Sequence, residues 1–198
     1  METFEILSWI ATVLSLAYVI LAARSSIWCW VFAGIGCAIW AYVSYESLLY
    51  SDAGLQLFYM GMAVVGWINW NRKTSRDEEL LPIKRMSLQE HLLVWVVGLP
   101  LGYALGRYLG EEWGAVATYW DAYTTVFSVI ITFAVINRRL ENWLYWIAID
   151  IVTGLLYYSR ELYAFALVML AYTVVAVIGY VSWKKEMEVH ELQIAKTD

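Results

Sequence analysis

The chain has 198 residues, of which 62% are hydrophobic and 16% are charged, and it contains 12 Trp and 15 Tyr. A soluble domain has about 45–50% apolar and about 25% charged residues, so an ordinary water-soluble fold is excluded. The formal net charge is −5 and no basic cluster is interleaved with aromatic residues, which argues against nucleic acid as a partner.

Seven apolar runs follow one another along the chain. They cover residues 6–23, 27–45, 53–70, 88–108, 115–136, 143–159 and 162–183. Each run reaches or approaches the length of about 20 residues that a helical crossing of a bilayer requires. Because backbone groups cannot remain unpaired in hydrocarbon, the sequence predicts an all-α integral membrane protein with seven transmembrane helices joined by short turns.

The distribution of basic residues predicts the orientation. If the N-terminus lies outside, eleven of the thirteen Lys and Arg fall in segments on the cytoplasmic side, and only Arg107 and Arg160 lie outside. Membrane proteins retain Lys and Arg in their cytoplasmic loops. We therefore predict an external N-terminus, a cytoplasmic C-terminus, and a cytoplasmic linker between the third and fourth runs.

An internal repeat relates the two ends of the chain. At a spacing of 115 residues, Trp28 matches Trp143. After a slip of two residues, both halves carry the pattern Tyr-x8-Tyr-x6-Gly-x3-Trp, which ends at Trp70 and Trp183. Spans one to three and five to seven are predicted to be parallel three-helix repeats in a 3+1+3 arrangement. The predicted divisions are a first repeat at 1–71, a linker and connector helix at 72–110, a second repeat at 111–185 and a cytoplasmic tail at 186–198. Parallel repeats of this kind are typical of transporters.

Asp150 lies in the middle of the sixth span, where an ionised side chain costs at least about 2.5–3.5 kcal/mol. Arg107, near the outer end of the fourth run, is the only Lys or Arg within the predicted spans, and none lies in the sixth. Asp150 is therefore either protonated and hydrogen-bonded, or it faces a polar or cationic ligand, and we favour the ligand. Trp143 and Trp146 precede it at spacings that put all three side chains on one helical face.

The third span has a similar face, formed by Gln56, Tyr59, Ala63, Gly66, Trp67 and Trp70. Aromatic rings attract flat cations, and an amide adds directional hydrogen bonds. The alternative is helix packing by small residues, with Trp side chains anchored at the membrane surface. The anchor hypothesis is favoured for Trp70, Trp120 and Trp183.

These two motifs resemble the Pnu vitamin transporter family, whose name-giving members carry nicotinamide riboside and whose relatives include thiamine carriers. They are Gln56-x2-Tyr59-x6-Gly66-Trp67-x2-Trp70 and Trp143-x2-Trp146-x3-Asp150. The resemblance implies an architecture related to SWEET sugar transporters, a homotrimer, and a location in the bacterial cytoplasmic membrane with the substrate between the repeats. It also implies a set of substrate-binding residues, namely Gln56, Tyr59, Trp146 and Asp150, together with Trp143, Trp67 and Trp30.

The sequence therefore predicts a facilitator for a cationic heteroaromatic vitamin, either nicotinamide riboside or thiamine, that works by alternating access. By the resemblance, a separate cytoplasmic kinase traps the vitamin inside the cell. No catalytic residue, metal site or cofactor is expected, because Asp150 has no second acid or nucleophile with a base near it. A seven-helix receptor or sensor and an intramembrane enzyme are the alternatives. A receptor would not explain the repeat.

Overall fold

The apolar runs of the sequence all form helices. This computed structural model describes residues 2–48, 50–72, 81–113 and 118–197. Seven helices lie in these ranges: α1 (Glu2–Ala23), α2 (Cys29–Glu46), α3 (Tyr50–Trp70), α4 (Leu88–Trp113), α5 (Thr118–Ile136), α6 (Asn142–Ser159) and α7 (Tyr163–Thr197). The predicted all-α fold, with seven helices in the predicted order, is confirmed.

Four of the helices contain stretches long and apolar enough to cross a membrane, as judged over the described ranges. They are Phe4–Ala23, Leu88–Gly110, Tyr119–Ile136 and Tyr163–Gln193. The helices α2, α3 and α6 are 18, 21 and 18 residues long. Each of the three contains polar residues: Glu46 ends α2, α3 contains Asp52 and Gln56, and α6 contains Asn142 and Asp150. The membrane crossing of these three helices stays a prediction.

The last helix is longer than the seventh predicted span. The span was expected to end at Trp183, whereas α7 continues to Thr197. The residues after Trp183 include Lys, Glu, Met, Leu and Gln, which favour helix in water. Met187 of this extension is buried, so the first turn beyond Trp183 packs against the rest of its unit.

The chain divides into two compact units, Met1–Pro82 and Ile83–Asp198. In the first unit α2 packs against both α1 and α3. In the second unit α4 packs against α5, α5 against α6, and α6 against α7. The connector helix α4 therefore belongs to the same compact unit as α5, α6 and α7.

The two units share local geometry at residues 113 positions apart. Ser25 and Arg138 have φ angles of 55° and 49°, and Leu48 and Glu161 both have 62°. Residues other than glycine rarely adopt this left-handed conformation, so two coincidences at one spacing are informative. The helices α2 and α6 start and end at this same spacing. The spacing of 115 predicted for the second and sixth helices is therefore wrong. A spacing of 113 relates these helices as well as the third and seventh, so no slip is needed between α2 and α3.

A pair of perpendicular indoles is the shared core of the two units. The rings of Trp30 and Trp70 lie 5.4 Å apart at 86°, and those of Trp143 and Trp183 lie 5.4 Å apart at 89°. Trp30, and not Trp28, is thus the equivalent of Trp143. Both Trp70 and Trp183 are completely buried, so the prediction that they anchor the chain at the membrane surface is wrong.

One glycine lies against each indole pair: Gly66 of α3 in the first unit and Gly179 of α7 in the second. A Cβ atom on Gly66 would lie 2.5 Å from Cζ2 of Trp30, and one on Gly179 would lie 2.7 Å from Cε2 of Trp143. Nonbonded carbon atoms do not approach each other so closely without strain. Only glycine therefore lets the ring lie against the helix backbone. The glycine that ends the repeated Tyr-x8-Tyr-x6-Gly pattern is therefore a packing requirement.

A second row of glycines joins α4 to α5. Gly98, Gly102 and Gly106 are spaced by four residues and lie on one face of α4. Each would place a Cβ atom into an aromatic ring of α5; the rings are those of Phe127, Tyr123 and Tyr119, respectively. Small residues in such a row allow two helices to approach closely without a hydrophobic driving force from water.

Candidate functional site

Asp150 is buried in the second unit. It lies two turns into α6 and is 7% exposed. No hydrogen bond or ion pair joins its carboxylate to any residue that the structure describes. A buried carboxylate without a partner is costly. This carboxylate is therefore available to pair with a polar or cationic ligand.

The face of α6 that carries Asp150 combines two different indole environments. Trp143 is 3% exposed and packs against Trp183 and Gly179. Trp146 is half-buried, and no ring contact is found for it in the part of the chain that the structure describes. Trp146 is therefore the indole of this face that has a surface available to a ligand, one turn before Asp150.

The predicted residues of α3 lie in the first unit. Gln56, Tyr59 and Trp67 are all half-buried. The ring of Trp67 meets that of Trp28 edge to face at 5.7 Å. The amide of Gln56 makes no hydrogen bond to the described residues. Gln56 and Tyr59 keep polar groups that a substrate could use, whereas part of the Trp67 surface is already covered.

Trp30 and Trp143 share a second property. The indole N–H of each is buried and has no acceptor among the described residues. A buried donor without a partner normally has an unobserved water or ligand beside it. The ring surfaces of these residues are used for packing within their own units, but their N–H groups remain available as donors.

The structure also identifies residues that the sequence analysis missed. Cys37 occupies in α2 the position that Asp150 occupies in α6, at the common spacing of 113. The ring of Tyr18 of α1 is 6.0 Å from that of Trp30. A single spacing of 113 over the whole repeat would have pointed to Cys37.

Comparison with known proteins identifies the family. The sequence profile of the family described as "Nicotinamide mononucleotide transporter" matches residues 5–185. The chain belongs to this family. It is 24% identical to the nicotinamide riboside transporter PnuC of Escherichia coli, in an alignment that covers 89% of this chain and 85% of the relative.

Two further relatives differ in the substrate that their names give. PnuC of Neisseria mucosa is 26% identical, over 94% of this chain and 76% of its own length. The riboflavin/roseoflavin transporter RibM of Streptomyces davaonensis is 23% identical, over 88% of this chain and 82% of its own. These relatives are transporters, so the protein is a membrane transporter and not an enzyme.

A solved structure supports the same family fold. A crystal structure of the vitamin B3 transporter PnuC matches with a TM-score of 0.73 and 26% sequence identity, over 93% of this chain and 83% of that one. The match includes both compact units. The chain therefore has the fold of the nicotinamide mononucleotide transporter family along almost its whole length, as the sequence motifs predicted.

Proposed function

We propose that this transporter is a facilitator for a cationic heteroaromatic vitamin, with nicotinamide riboside as the preferred substrate. The observation that carries the proposal is the buried carboxylate of Asp150, which has no cationic partner among the described residues and lies one turn after the uncovered indole of Trp146. The pyridinium ring of nicotinamide riboside is flat and positively charged. A carboxylate and an aromatic face are the groups that attract such a ring.

Seven residues form the proposed binding set. Trp146 stacks on the ring and Asp150 faces its charge. Gln56 and Tyr59 bind the polar groups of the substrate. Trp143, Trp67 and Trp30 complete the set; the buried N–H groups of Trp143 and Trp30 act as donors. This division of roles follows from which ring surfaces are already packed and which are not.

Riboflavin and thiamine are the competing substrates. A relative named as a riboflavin/roseoflavin transporter is 23% identical, and the flavin ring system is flat but uncharged. Thiamine has a flat cationic ring and would also satisfy Asp150. The charge argument therefore separates riboflavin from the other two, and a direct comparison is needed to separate thiamine from nicotinamide riboside.

Titration of the purified protein tests the proposed function. We expect nicotinamide riboside and thiamine to quench Trp fluorescence in a saturable manner at lower concentrations than riboflavin, because Trp146 is uncovered and Asp150 is unpaired. We expect nicotinamide riboside to act at lower concentrations than thiamine, because relatives of this chain are named as transporters of that riboside. Isothermal titration in the same detergent gives an independent Kd. Tighter binding of riboflavin than of either cation would contradict the assignment of Asp150 as a counter-charge.

The transport cycle that we propose follows from the repeat. The shared indole pairs and left-handed residues support a 3+1+3 arrangement of two parallel repeats, 1–71 and 111–185, with the linker and connector helix at 72–110 and the tail at 186–198. We propose alternating access in a homotrimer in the bacterial cytoplasmic membrane, with a cytoplasmic kinase that retains the vitamin by phosphorylation. Passive transport needs no ion-coupling group.

The proposed orientation can be tested with single cysteines. Ser47 lies between α2 and α3, and Lys185 follows the seventh predicted span, 162–183; both are exposed. Because the basic residues lie mainly in alternate segments, an impermeant thiol reagent should label Ser47→Cys in intact cells but label Lys185→Cys only after lysis. The unsubstituted protein, in which Cys29 is buried and Cys37 half-buried, serves as the control. The reverse pattern would invert the topology.

A further inference from the structure

Arg138 is an unusual residue in the connection between α5 and α6. Its side chain is 1% exposed, and its backbone is in the left-handed region with φ of 49°. The guanidinium lies over the ring of Trp183 at 5.4 Å and donates a hydrogen bond of 2.6 Å to Glu186 Oε1. A buried charge and a left-handed residue both cost free energy. The ion pair with Glu186 and the contact with the Trp183 ring act against both costs.

A continuous series of contacts runs from Arg138 to the first turn of α6. The guanidinium covers Trp183, and Trp183 meets Trp143 edge to face at 5.4 Å. Trp143 is the second residue of α6 and is also held against Gly179. The start of a helix and its rotation about its axis determine where later residues point. Trp146 and Asp150 follow one and two turns after Trp143.

The same connection is held from its other side by the segment before α4. The backbone N–H of Lys84 donates to the carbonyl of Arg138 at 3.0 Å, and the N–H of Leu140 donates to the carbonyl of Lys84 at 2.9 Å. The N–H of Met86 donates to the Glu141 carboxylate at 2.6 Å. Backbone hydrogen bonds fix the Arg138 backbone, and Glu186 fixes its side chain.

The first unit provides an internal comparison. Ser25 occupies the position of Arg138, with a similar φ of 55°. Trp30 and Trp70 nevertheless have the same perpendicular geometry as Trp143 and Trp183. The indole pair therefore forms without a guanidinium. Of these two equivalent positions, the arginine is the one that precedes α6, the helix that carries the buried carboxylate of Asp150.

We infer that Arg138, held by Glu186, is a positioning residue for the substrate: it acts through Trp183 and Trp143 to set the α6 face that presents Trp146 and Asp150. This inference rests on the proposed function, because it assigns the positioned face to vitamin binding. Glu186 lies three residues beyond Trp183. The part of α7 that continues beyond the predicted span, 162–183, thus holds Arg138 in place.

The test compares two carboxylates on α7. Glu186→Gln removes the charge that holds Arg138, whereas Glu188→Gln, the matched control, removes an exposed carboxylate that faces Lys184 at 3.9 Å. We expect Glu186→Gln and Arg138→Lys each to raise the Kd for nicotinamide riboside about tenfold, with Glu188→Gln unchanged. If Arg138→Lys fails to fold, Glu186→Gln alone decides, because Glu186 is 44% exposed and accommodates Gln.

A double-mutant cycle separates positioning from general stability. If Arg138 acts through the α6 face, Glu186→Gln should change the Kd by less than about twofold once Trp146 is already replaced by Ala and Asp150 by Asn, because coupled residues are not additive. Two outcomes would overturn the inference. One is a loss of affinity in the combined variant equal to the full product of the separate losses, and the other is a Kd that Glu186→Gln leaves unchanged in the parent protein.

Hydrogen exchange over residues 140–148 supplies a readout that needs no ligand. We expect faster exchange at the start of α6 in Glu186→Gln but not in Glu188→Gln. Equal exchange in the two variants would exclude the positioning role. A parent protein that binds none of the three vitamins would instead refute the proposed function, and the exchange measurement would still decide on Arg138.

Discussion

Replacement of Gly66 by Ala is expected to destabilise the protein severely. The added methyl group would be 2.5 Å from Cζ2 of Trp30, and Trp30 is itself buried against Trp70. The ring has no space into which it can retreat without opening the core of the first unit. Overpacking of this kind costs about 1–3 kcal/mol, and occasionally more. Thermal unfolding in detergent, followed by Trp fluorescence, would measure the loss.

Gly61 is a matched control on the same helix. It is exposed, and nothing lies within 4 Å of the position that its Cβ would take. Gly61→Ala should therefore leave the unfolding temperature unchanged or raise it, because Ala favours a helix by up to about 1 kcal/mol over Gly. If Gly66→Ala were as stable as Gly61→Ala, the close contact between the Trp30 ring and the α3 backbone would be wrong.

Asp150→Asn should produce the largest selective change in substrate binding. Asn keeps the volume and a hydrogen-bond acceptor but removes the negative charge. If the carboxylate faces the pyridinium ring, affinity for nicotinamide riboside should fall by about tenfold or more, which is about 1.4 kcal/mol. The reduced, uncharged dihydro form of the same riboside should lose less than about twofold.

The ratio of the two losses decides the role of Asp150. The contribution of the charge to the binding free energy is variable, because desolvation offsets attraction in buried pairs. A change in folding would weaken both ribosides equally, so it cancels in the ratio of their affinity losses. Asp121→Asn is a suitable control, because Asp121 is a partly exposed carboxylate that pairs with Arg160. Equal losses for the charged and uncharged ribosides in Asp150→Asn, measured by calorimetry, would assign Asp150 to packing.

Helix positions were predictable from the sequence, but the register of the repeat was only partly so. The apolar runs and the Tyr-x8-Tyr-x6-Gly-x3-Trp pattern fixed the third and seventh helices at the correct spacing of 113. In the second and sixth helices, identities such as Trp28 with Trp143 favoured 115. Chemical identity was misleading there, because the equivalent positions are related by backbone conformation, as at Ser25 and Arg138.

The tryptophans show why position along a span does not determine environment. Trp70 and Trp183 lie at the ends of apolar runs, where aromatic anchors are common, yet both are fully buried. What buries them is a perpendicular partner 40 residues earlier in each unit, whose ring lies against a glycine of the same helix as Trp70 or Trp183. Such a pairing is visible only in three dimensions. Trp120, by contrast, is 60% exposed, and its role as an anchor stays a prediction.

Candidate site residues on a single helix were the easiest to predict. Helical spacing alone placed Trp143, Trp146 and Asp150 on one face, and the structure has all three in α6. The contrast between the packed ring of Trp143 and the uncovered ring of Trp146 was not predictable, because it depends on Trp183 and Gly179. Arg138 was counted only as a basic residue in a loop, since burial of a charge has no signature in sequence.

The close fit of α4 onto α5 determines where this polypeptide can be divided. A chain cut between Arg72 and Leu81 would leave the three α5 rings that lie against glycines of α4 in one fragment with those glycines. A cut after α4 would instead separate Phe127, Tyr123 and Tyr119 from the three glycines of α4 against which their rings pack. A split or permuted transporter assembled from two genes should therefore carry its connector helix on the second fragment.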